Sequence, residues 1–140
     1  MTNEAVRVEG PYLTRDFTIS GVTAIAQGTL MVLSDPRTAV ASSATDTAPI
    51  FAGIVGTEKV LNDTATECGC DITGVHILTA AANGAGAEGA IGAGDMVVIS
   101  GVNTIKAAVA ANLLTGAVVG KAYEAIAAGT TGEVAVGASV

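Results

Sequence analysis

The sequence contains few of the large side chains that usually fill a protein core. Among its 140 residues there is no tryptophan, and tyrosine and phenylalanine occur twice each. Aromatic side chains bury the most apolar area per residue, so the core must come from valine, isoleucine, leucine and alanine. Such a core contributes little free energy per residue. We therefore expect one small domain that leans on a partner, or on its own copies, for stability.

Basic residues are also scarce. Six lysines and arginines stand against 13 acidic residues, which gives a formal net charge of −7, and the basic residues are scattered singly. Nucleic-acid binding needs a clustered basic face that displaces counterions, and single strands also need aromatic stacking platforms. This composition excludes nucleic acid as an expected partner.

No segment has the character of a membrane span or a secretory signal. The longest uncharged run, residues 17–34, is interrupted by threonines, serine, glutamine and glycines, which makes it too polar to cross a bilayer. The first ten residues, MTNEAVRVEG, lack the basic start and apolar block of a signal peptide. We expect no membrane partner and synthesis in the cytoplasm.

The chain does contain many short, apolar, β-branched stretches. They are separated by turn sequences at 35–37 (DPR), 61–64 (LNDT), 101–103 (GVN) and 127–131 (AAGTT), a pattern typical of short strands and tight turns. Helical propensity is confined to AAVAANLL at 107–114. The sequence predicts an all-β fold, a small β-barrel or β-tulip-like domain over residues 17–140.

A faint internal repeat supports this fold class. Residues 24–41 (AIAQGTLMVLSDPRTAVA) resemble residues 90–107 (AIGAGDMVVISGVNTIKA), and each copy is followed by a glycine-bearing apolar strand. Identical residues stand at Ala24/Ala90, Ile25/Ile91, Gly28/Gly94, Val32/Val98, Ser34/Ser100, Thr38/Thr104 and Ala41/Ala107. Duplication and convergent low complexity both explain the similarity. Either origin predicts a compact barrel or sandwich.

A glycine run at 83–95, NGAGAEGAIGAGD, contains the spacing of a dinucleotide-binding loop at Gly84, Gly86 and Gly89. A strand-like stretch precedes it, but the β-rich run DMVVIS follows where a helix is required. Without a helix N-terminus there is nothing to hold a pyrophosphate. We interpret the run as a surface loop and a turn into a barrel strand, and we expect no cofactor.

The residues with catalytic or metal-binding chemistry stand apart from one another. Cys68 and Cys70 point to one face of a strand with Cα atoms roughly 7 Å apart, near or beyond the limit for a disulfide, and a zinc site needs four ligands. His76 has no nucleophile or acid nearby in sequence. Lys59 is the nearest match to a cofactor-bearing hairpin lysine, but it precedes the turn. We predict half-buried thiols, a structural histidine, no metal, no small-molecule substrate and no enzymatic activity.

The first 16 residues differ from the rest in their charge. Arginines and acids surround the alternating stretch AVRVEG, and PYLTRDF follows after a Gly–Pro break. We interpret residues 1–16 as an extended arm that adds to another subunit's sheet. A disordered terminus is the alternative.

The order of these pieces resembles the head decoration, or capsid cement, proteins of tailed bacteriophages. APIFAGIVGTEKV (48–60) and ATECGCDITGVHILTAA (65–81) are similar to their core of an apolar–Gly–Val strand, a turn and a strand that ends in glycine. In the second half, a GD-x-V strand and a hairpin lead to a G-x-A-x-E-A-x-A-A-G segment and a final strand. The resemblance covers roughly residues 20–137.

The resemblance implies a structural role on a virion. Proteins of this family are small barrel or tulip-like domains, often trimeric, that clamp neighbouring major capsid subunits at three-fold and quasi-three-fold positions. It implies a homotrimer on the outer capsid surface, with the major capsid protein as partner. The family's arm pairs with capsid strands, a role that would fall here to residues 5–17. The expected capsid contacts are Val6, Val8, Tyr12, Leu13 and Phe17.

Other functions fit the same sequence. Another virion β module, such as a head-fibre base or a tail component, would differ in where it attaches to the particle. A bacterial surface or adhesion module would bind a cell-surface partner. An enzyme or cofactor carrier would lose its activity when His76 or Lys59 is replaced.

Overall fold

A computed structural model describes residues 3–20, 23–82 and 90–137, and within them the chain is all-β, as predicted. The strands are β1 Val6–Glu9, β2 Thr14–Thr18, β3 Leu30–Asp35, β4 Thr38–Ala41, β5 Phe51–Val55, β6 Glu67–Asp71, β7 Gly74–Ala80, β8 Met96–Ile99, β9 Thr104–Ala107, β10 Val118–Ala122 and β11 Thr131–Val136. In the described ranges the one helix is a 3-10 helix, Ala110–Leu114, within the stretch of predicted helical propensity. None of the described helical structure is long and apolar enough to span a membrane.

The strands close into two small barrels of five strands each. The first barrel has the order β2-β4-β3-β5-β6, and the second has the order β7-β9-β8-β10-β11. In each barrel, the strand that comes first along the chain is parallel to the strand that comes third along the chain. These pairs are β2 with β4, through Thr18–Thr38, and β7 with β9, through Thr79–Thr104. The sequence predicted one barrel-like domain over 17–140. The structure has two barrels instead, and each copy of the repeat supplies two of the five strands, β3 and β4 in the first barrel and β8 and β9 in the second.

The turns repeat as closely as the strands. The N–H of Thr29 donates to the Ala26 carbonyl at 3.2 Å, and 66 positions later the N–H of Asp95 donates to the Gly92 carbonyl at 3.1 Å. Residues 92–95 therefore form the turn that leads into β8. Residues 83–89, which include Gly84, Gly86 and Gly89, lie outside the described residues.

The two barrels pack directly on each other. Along β3, Met31 belongs to the core of the first barrel, whereas Leu30 faces the other way and joins a cluster with Val97 and Val119 of the second. Successive strand residues point to opposite faces, so one strand contributes to both cores. Ile54 on β5, like Leu30, belongs to the cluster of the second barrel. The barrels thus share one apolar interface.

The chain crosses from one barrel to the other at a glycine. The stretch 65–80 is divided into β6 and β7, and Gly74, the first residue of β7, has a φ of +109°. Left-handed backbone of this kind favours glycine. The resulting bend directs β6 into the first barrel and β7 into the second.

The two thiols lie in the core of the first barrel. Cys68 and Cys70 are 5% and 0% exposed, so they are more deeply buried than the half-buried thiols that we predicted. They occupy the same face of β6, as expected from their spacing. Their mutual hydrogen bond lowers the pKa of Cys68 and, together with burial, raises the pKa of Cys70.

The structure does not show residues 1–16 as an extended arm. β1 pairs with β7 of the second barrel, and β2 is a strand of the first barrel. Ala5 is buried, and its N–H donates to the Gly28 carbonyl at 2.8 Å. The difference arises because the partners of this segment lie far away in sequence, within the same chain.

Candidate functional site

Residues 3–18, which we call the N-terminal segment, contact both barrels. β1 lies antiparallel to β7, with Val6 opposite Ile77 and Arg7 opposite His76. The register shifts between Arg7 and Glu9, so a β-bulge stands at Val8. The alternating residues of β1 therefore present one side chain to the barrels and its neighbours to the surface.

A partly buried polar group, which we call the Asp71 cluster, fixes this segment. It consists of Arg7, Tyr12, Asp71 and His76. The Arg7 guanidinium donates through Nε and Nη2 to the two carboxylate oxygens of Asp71, each at 2.7 Å. His76 Nε2 lies 3.1 Å from Asp71 Oδ2. One carboxylate at the end of β6 thus joins β1 to both barrels.

Tyr12 completes the cluster. Its ring packs edge-on against His76, with the ring centroids 5.4 Å apart and the planes at 72°. The Arg7 guanidinium carbon lies 4.7 Å from the centre of the same ring, within the range of a cation–π interaction. Tyr12 therefore contacts both the histidine and the arginine that bind Asp71.

The environment of Asp71 keeps it ionised. Burial alone raises the pKa of this carboxyl, whose side chain is 1% exposed, but the bonds from Arg7 and His76 outweigh burial and lower the pKa below its ordinary value. The same bond with Asp71 raises the pKa of Arg7. Bidentate guanidinium–carboxylate pairs are among the stronger hydrogen-bonded contacts in proteins. The cluster is thus a firm link between three elements.

A histidine–aspartate pair also occurs in nucleophilic catalysis, where the histidine activates a hydroxyl or thiol. Here the second ring nitrogen of His76, Nδ1, lies 3.3 Å from the Gly74 carbonyl, and the side chain is fully buried. In the part of the chain that the structure describes, no hydroxyl or thiol hydrogen-bonds to His76. The arrangement joins β6 to β7 through two buried polar side chains.

A cleft of about 550 Å³ lies beside the cluster, between the N-terminal segment and both barrels. Its walls include Glu4, Val6, Gln27 and Ile54, with the Arg7–Asp71 pair at one side. The one strongly charged pair in this wall is internally satisfied. The cleft brings Val6 to a surface that both barrels share.

The structure divides the five predicted capsid contacts into two groups. Val6, Val8 and Leu13 are 57%, 45% and 57% exposed. Tyr12 packs on His76, and Phe17 packs into the core of the first barrel. Three of these side chains are thus accessible to a partner, and the other two hold the segment in place.

Lys59 lies buried at the mouth of the first barrel. Its ammonium donates to Asp63 Oδ1 at 2.9 Å and to the Val60 carbonyl at 3.1 Å. The hydrogen bond from Lys59 lowers the pKa of Asp63. This lysine is therefore engaged in an ion pair across the 60–63 turn.

Sequence reasoning did not find the Asp71 cluster. We interpreted His76 as having no acid nearby in sequence. Asp71 in fact stands only a few positions earlier, at the end of the first barrel, whereas His76 belongs to the second. One signal was available: in the stretch 68–81, Asp71 and His76 are the two residues with ionisable polar side chains other than the thiols. A lone acid in such an apolar run indicates a buried charge with a partner.

The described side chains include no group of three or more histidine, cysteine, aspartate or glutamate residues placed to hold a metal ion. Comparison of the chain with protein-family models gives no match. Comparison with curated proteins gives no significant match.

Proposed function

We propose that this chain is a structural virion protein that binds the outer surface of a tailed-phage head and cements neighbouring major capsid subunits. Three copies of this small barrel or tulip-like domain would form a homotrimer at three-fold and quasi-three-fold positions. The sequence resemblance over roughly residues 20–137 supports this function. An all-β fold of two packed barrels is compatible with a part that acts by binding alone.

The observation that carries the proposal is the outward face of the N-terminal segment. Val6, Val8 and Leu13 are exposed apolar side chains on backbone that the Asp71 cluster holds in place. A preordered apolar surface loses little conformational entropy on binding, and burial of each side chain is favourable. The predicted arm acts here as a fixed ridge against the capsid. Tyr12 and Phe17 anchor the ridge from behind.

Weak contacts suffice on a particle with many copies. When subunits of one trimer engage adjacent capsid subunits, each further contact is intramolecular, and overall retention exceeds the single-site affinity. This argument supports a modest apolar ridge as the attachment device.

The test compares two matched triple variants. Val6→Ser, Val8→Ser and Leu13→Ser removes the ridge, whereas Val40→Ser, Val60→Ser and Leu61→Ser removes valines and leucine of similar exposure, 48%, 57% and 60%, elsewhere. Each variant is first checked by circular dichroism and thermal melting. The amount of chain per particle is then measured in the head band of a density gradient. We expect wild type and the control at a fixed ratio to the shell protein, and the ridge variant reduced at least about tenfold.

Other outcomes separate the alternatives. Wild-type chain that stays at the top of the gradient contradicts the virion function and favours a surface or adhesion module. Co-sedimentation with tails favours another virion module. A ridge variant retained at the wild-type ratio places the contact on a different face, while decoration itself stands.

Deletion of residues 1–16 is a poorer test. It would remove Thr14–Asp16 from β2 and the Arg7 partner of Asp71. The first barrel would then lose a closing strand, and lost attachment could not be separated from unfolding.

A further inference from the structure

One edge of β2, in the first barrel, is largely unpaired, whereas the equivalent edge of β7, in the second barrel, pairs with another strand. β2 pairs with β6 along its whole length but with β4 only at Thr18. The corresponding strand β7 likewise pairs with β9 only at its end, through Thr79 and Ala80. There, β1 occupies the remaining edge. We call this strand edge the seat of β1. Each barrel has such a seat, and among the described residues a strand occupies only the seat of the second barrel.

The two seats correspond residue by residue. Thr18 and Thr79 hold the same place opposite the parallel strand, so Asp16 corresponds to Ile77 and Thr14 corresponds to Val75. In the second barrel, Val6 and Glu9 of β1 stand opposite those two residues. A strand beside Thr14–Phe17 would therefore have the position that β1 has on β7.

The backbone of β2 presents hydrogen-bonding groups to this open side. The Thr18 N–H donates to the Arg37 carbonyl at 2.6 Å on the β4 side, and the Leu13 carbonyl accepts from Ile72 N–H at 2.8 Å on the β6 side. Because alternate residues of a paired strand direct their peptide groups to opposite sides, Thr14 and Asp16 face the open edge. Arg37 Nη2 donates to the Asp16 carbonyl at 3.0 Å. In the described ranges, no other hydrogen bond from outside the sheet reaches these two residues.

The charges at this edge define what it would accept. Arg15 is exposed and makes no ion pair or hydrogen bond through its side chain to any described residue, and Arg37 is also exposed. The Asp16 carboxylate leans the other way, over Gly69 of β6. Two of the six basic residues of an acidic chain therefore flank one strand edge. An acidic side chain on an incoming strand would complement them.

A second copy of this chain does not fit the seat. Arg7 stands opposite His76 in the second barrel, and Arg15 holds the corresponding place in the first. A copy of β1 in the same register would place Arg7 opposite Arg15, and like charges directly opposite destabilise a strand pair. It would also have to leave Asp71, its buried partner.

We propose that the open edge of β2 binds an extended segment of a different protein by strand addition, antiparallel to β2, with an acidic side chain opposite Arg15. Main-chain hydrogen bonds supply affinity in this mode, and side chains supply specificity. The proposal stands whether or not the partner belongs to a capsid.

The experiment uses two short fluorescent peptides of alternating threonine and valine, one with a central glutamate and one with a central lysine. Binding to the full chain is measured by fluorescence anisotropy. We expect the glutamate peptide to bind at least about tenfold more tightly than the lysine peptide, and Arg15→Glu to reverse that preference. Lys106→Glu, on a strand paired on both sides, should leave the preference unchanged.

A backbone variant separates strand addition from simple charge attraction. Asp16→Pro removes the outward N–H while sparing the bonds to β6, and proline is tolerated on such edges. Binding of both peptides should be lost although circular dichroism shows the fold retained. Unaltered binding to Asp16→Pro, or no binding of either peptide to folded wild type, overturns the proposal. Self-association that Asp16→Pro abolishes would show a second copy as the occupant, which also overturns it.

Discussion

The two barrels have the same strand order but differ in one buried side chain at their mouths. Ile25 bridges Lys59 in the first barrel, and Ile91 bridges Ile126 in the second, with matching pairs of backbone hydrogen bonds. The same backbone contact thus accepts an ammonium or a branched apolar chain. The comparison shows that the backbone pairing defines the barrel. A charge is accommodated where a carboxylate, here Asp63, reaches it.

The interiors differ in their fifth strands. Register pairs Val55 with Cys70 in the first barrel and Ala122 with Val134 in the second, so Cys70 corresponds to Val134 and Cys68 to Gly132. All four are small or medium residues. A five-stranded barrel has a narrow interior, which explains how a chain with so few aromatic residues fills its cores.

The largest expected effect concerns a strand position that is glycine in both barrels. Gly120 on β10 corresponds to Gly53 on β5, and in both barrels the fifth strand passes close by. A Cβ at Gly120 would fall on the carbonyl of Ala135, whereas one at Gly53 would meet the Cys70 side chain at 2.7 Å. We expect Gly120→Ala to lower the free energy of unfolding by about 3 kcal/mol, and Gly53→Ala to lower it less because the overlap of its added Cβ with Cys70 Cβ is smaller than the overlap at Gly120.

Urea unfolding followed by circular dichroism measures both changes. Gly69→Ala is the control, since its added Cβ would meet its nearest neighbour at 3.5 Å, an ordinary contact. Equal losses at Gly120 and Gly53 would show that the two barrels tolerate crowding alike.

The second prediction concerns the link between the barrels. Asp71→Asn leaves Arg7 without its carboxylate, and an amide cannot accept both guanidinium bonds. We expect a loss of about 2 kcal/mol in the free energy of unfolding. Asp35→Asn, at the exposed end of β3, should change it little. Equal stability of wild type and Asp71→Asn would contradict the importance of the cluster.

Acid should act on the same carboxyl. Folding lowers the pKa of Asp71, so at acidic pH the unfolded chain binds more protons than the folded chain at this site. Its contribution is complete above the unfolded pKa, about 4 for aspartate, and is lost as the pH falls through the lower folded value. Unfolding measured between neutral and acidic pH should therefore show a steeper loss for wild type than for Asp71→Asn. Parallel curves would contradict this assignment.

The smallest effect on stability is expected from a substitution that gives the first barrel the side chain found at the equivalent position of the second. Lys59→Ile gives the first barrel the residue that the second has, and replacement of a buried ion pair by an apolar residue is often neutral or stabilising. We expect a change within about 1 kcal/mol. Asp63→Ala, which leaves the Lys59 ammonium buried without its carboxylate, should lower the melting temperature more. The reverse order would show that Lys59 itself is required.

Local features of the sequence predicted much of the fold. The turns at 35–37 and 101–103 are present, with Arg37 and Asn103 both at a φ of +54°, and the repeat marks equivalent strands. The closure of two barrels was not predictable in the same way. It depends on pairs such as Thr14 with Asp71, distant in sequence. No local pattern encodes such a partner.

The site was harder to predict for the same reason. Val6, Val8 and Leu13 are exposed, but what holds them depends on Asp71 and His76 from different barrels. The alternation in AVRVEG indicates a strand. It does not indicate that the strand returns to its own chain.

The contiguity of each barrel in sequence has a consequence for synthesis. Every strand of the first barrel lies between Thr14 and Asp71, so the nascent chain can close that barrel before the second half has left the ribosome. β1 is made earlier still, yet its partner β7 comes after the first barrel is complete. β1 therefore lacks its strand partner until the whole first barrel has been synthesised. Until then, Val6 lacks the partner strand that it has in the folded chain and is accessible to chaperones and to other chains.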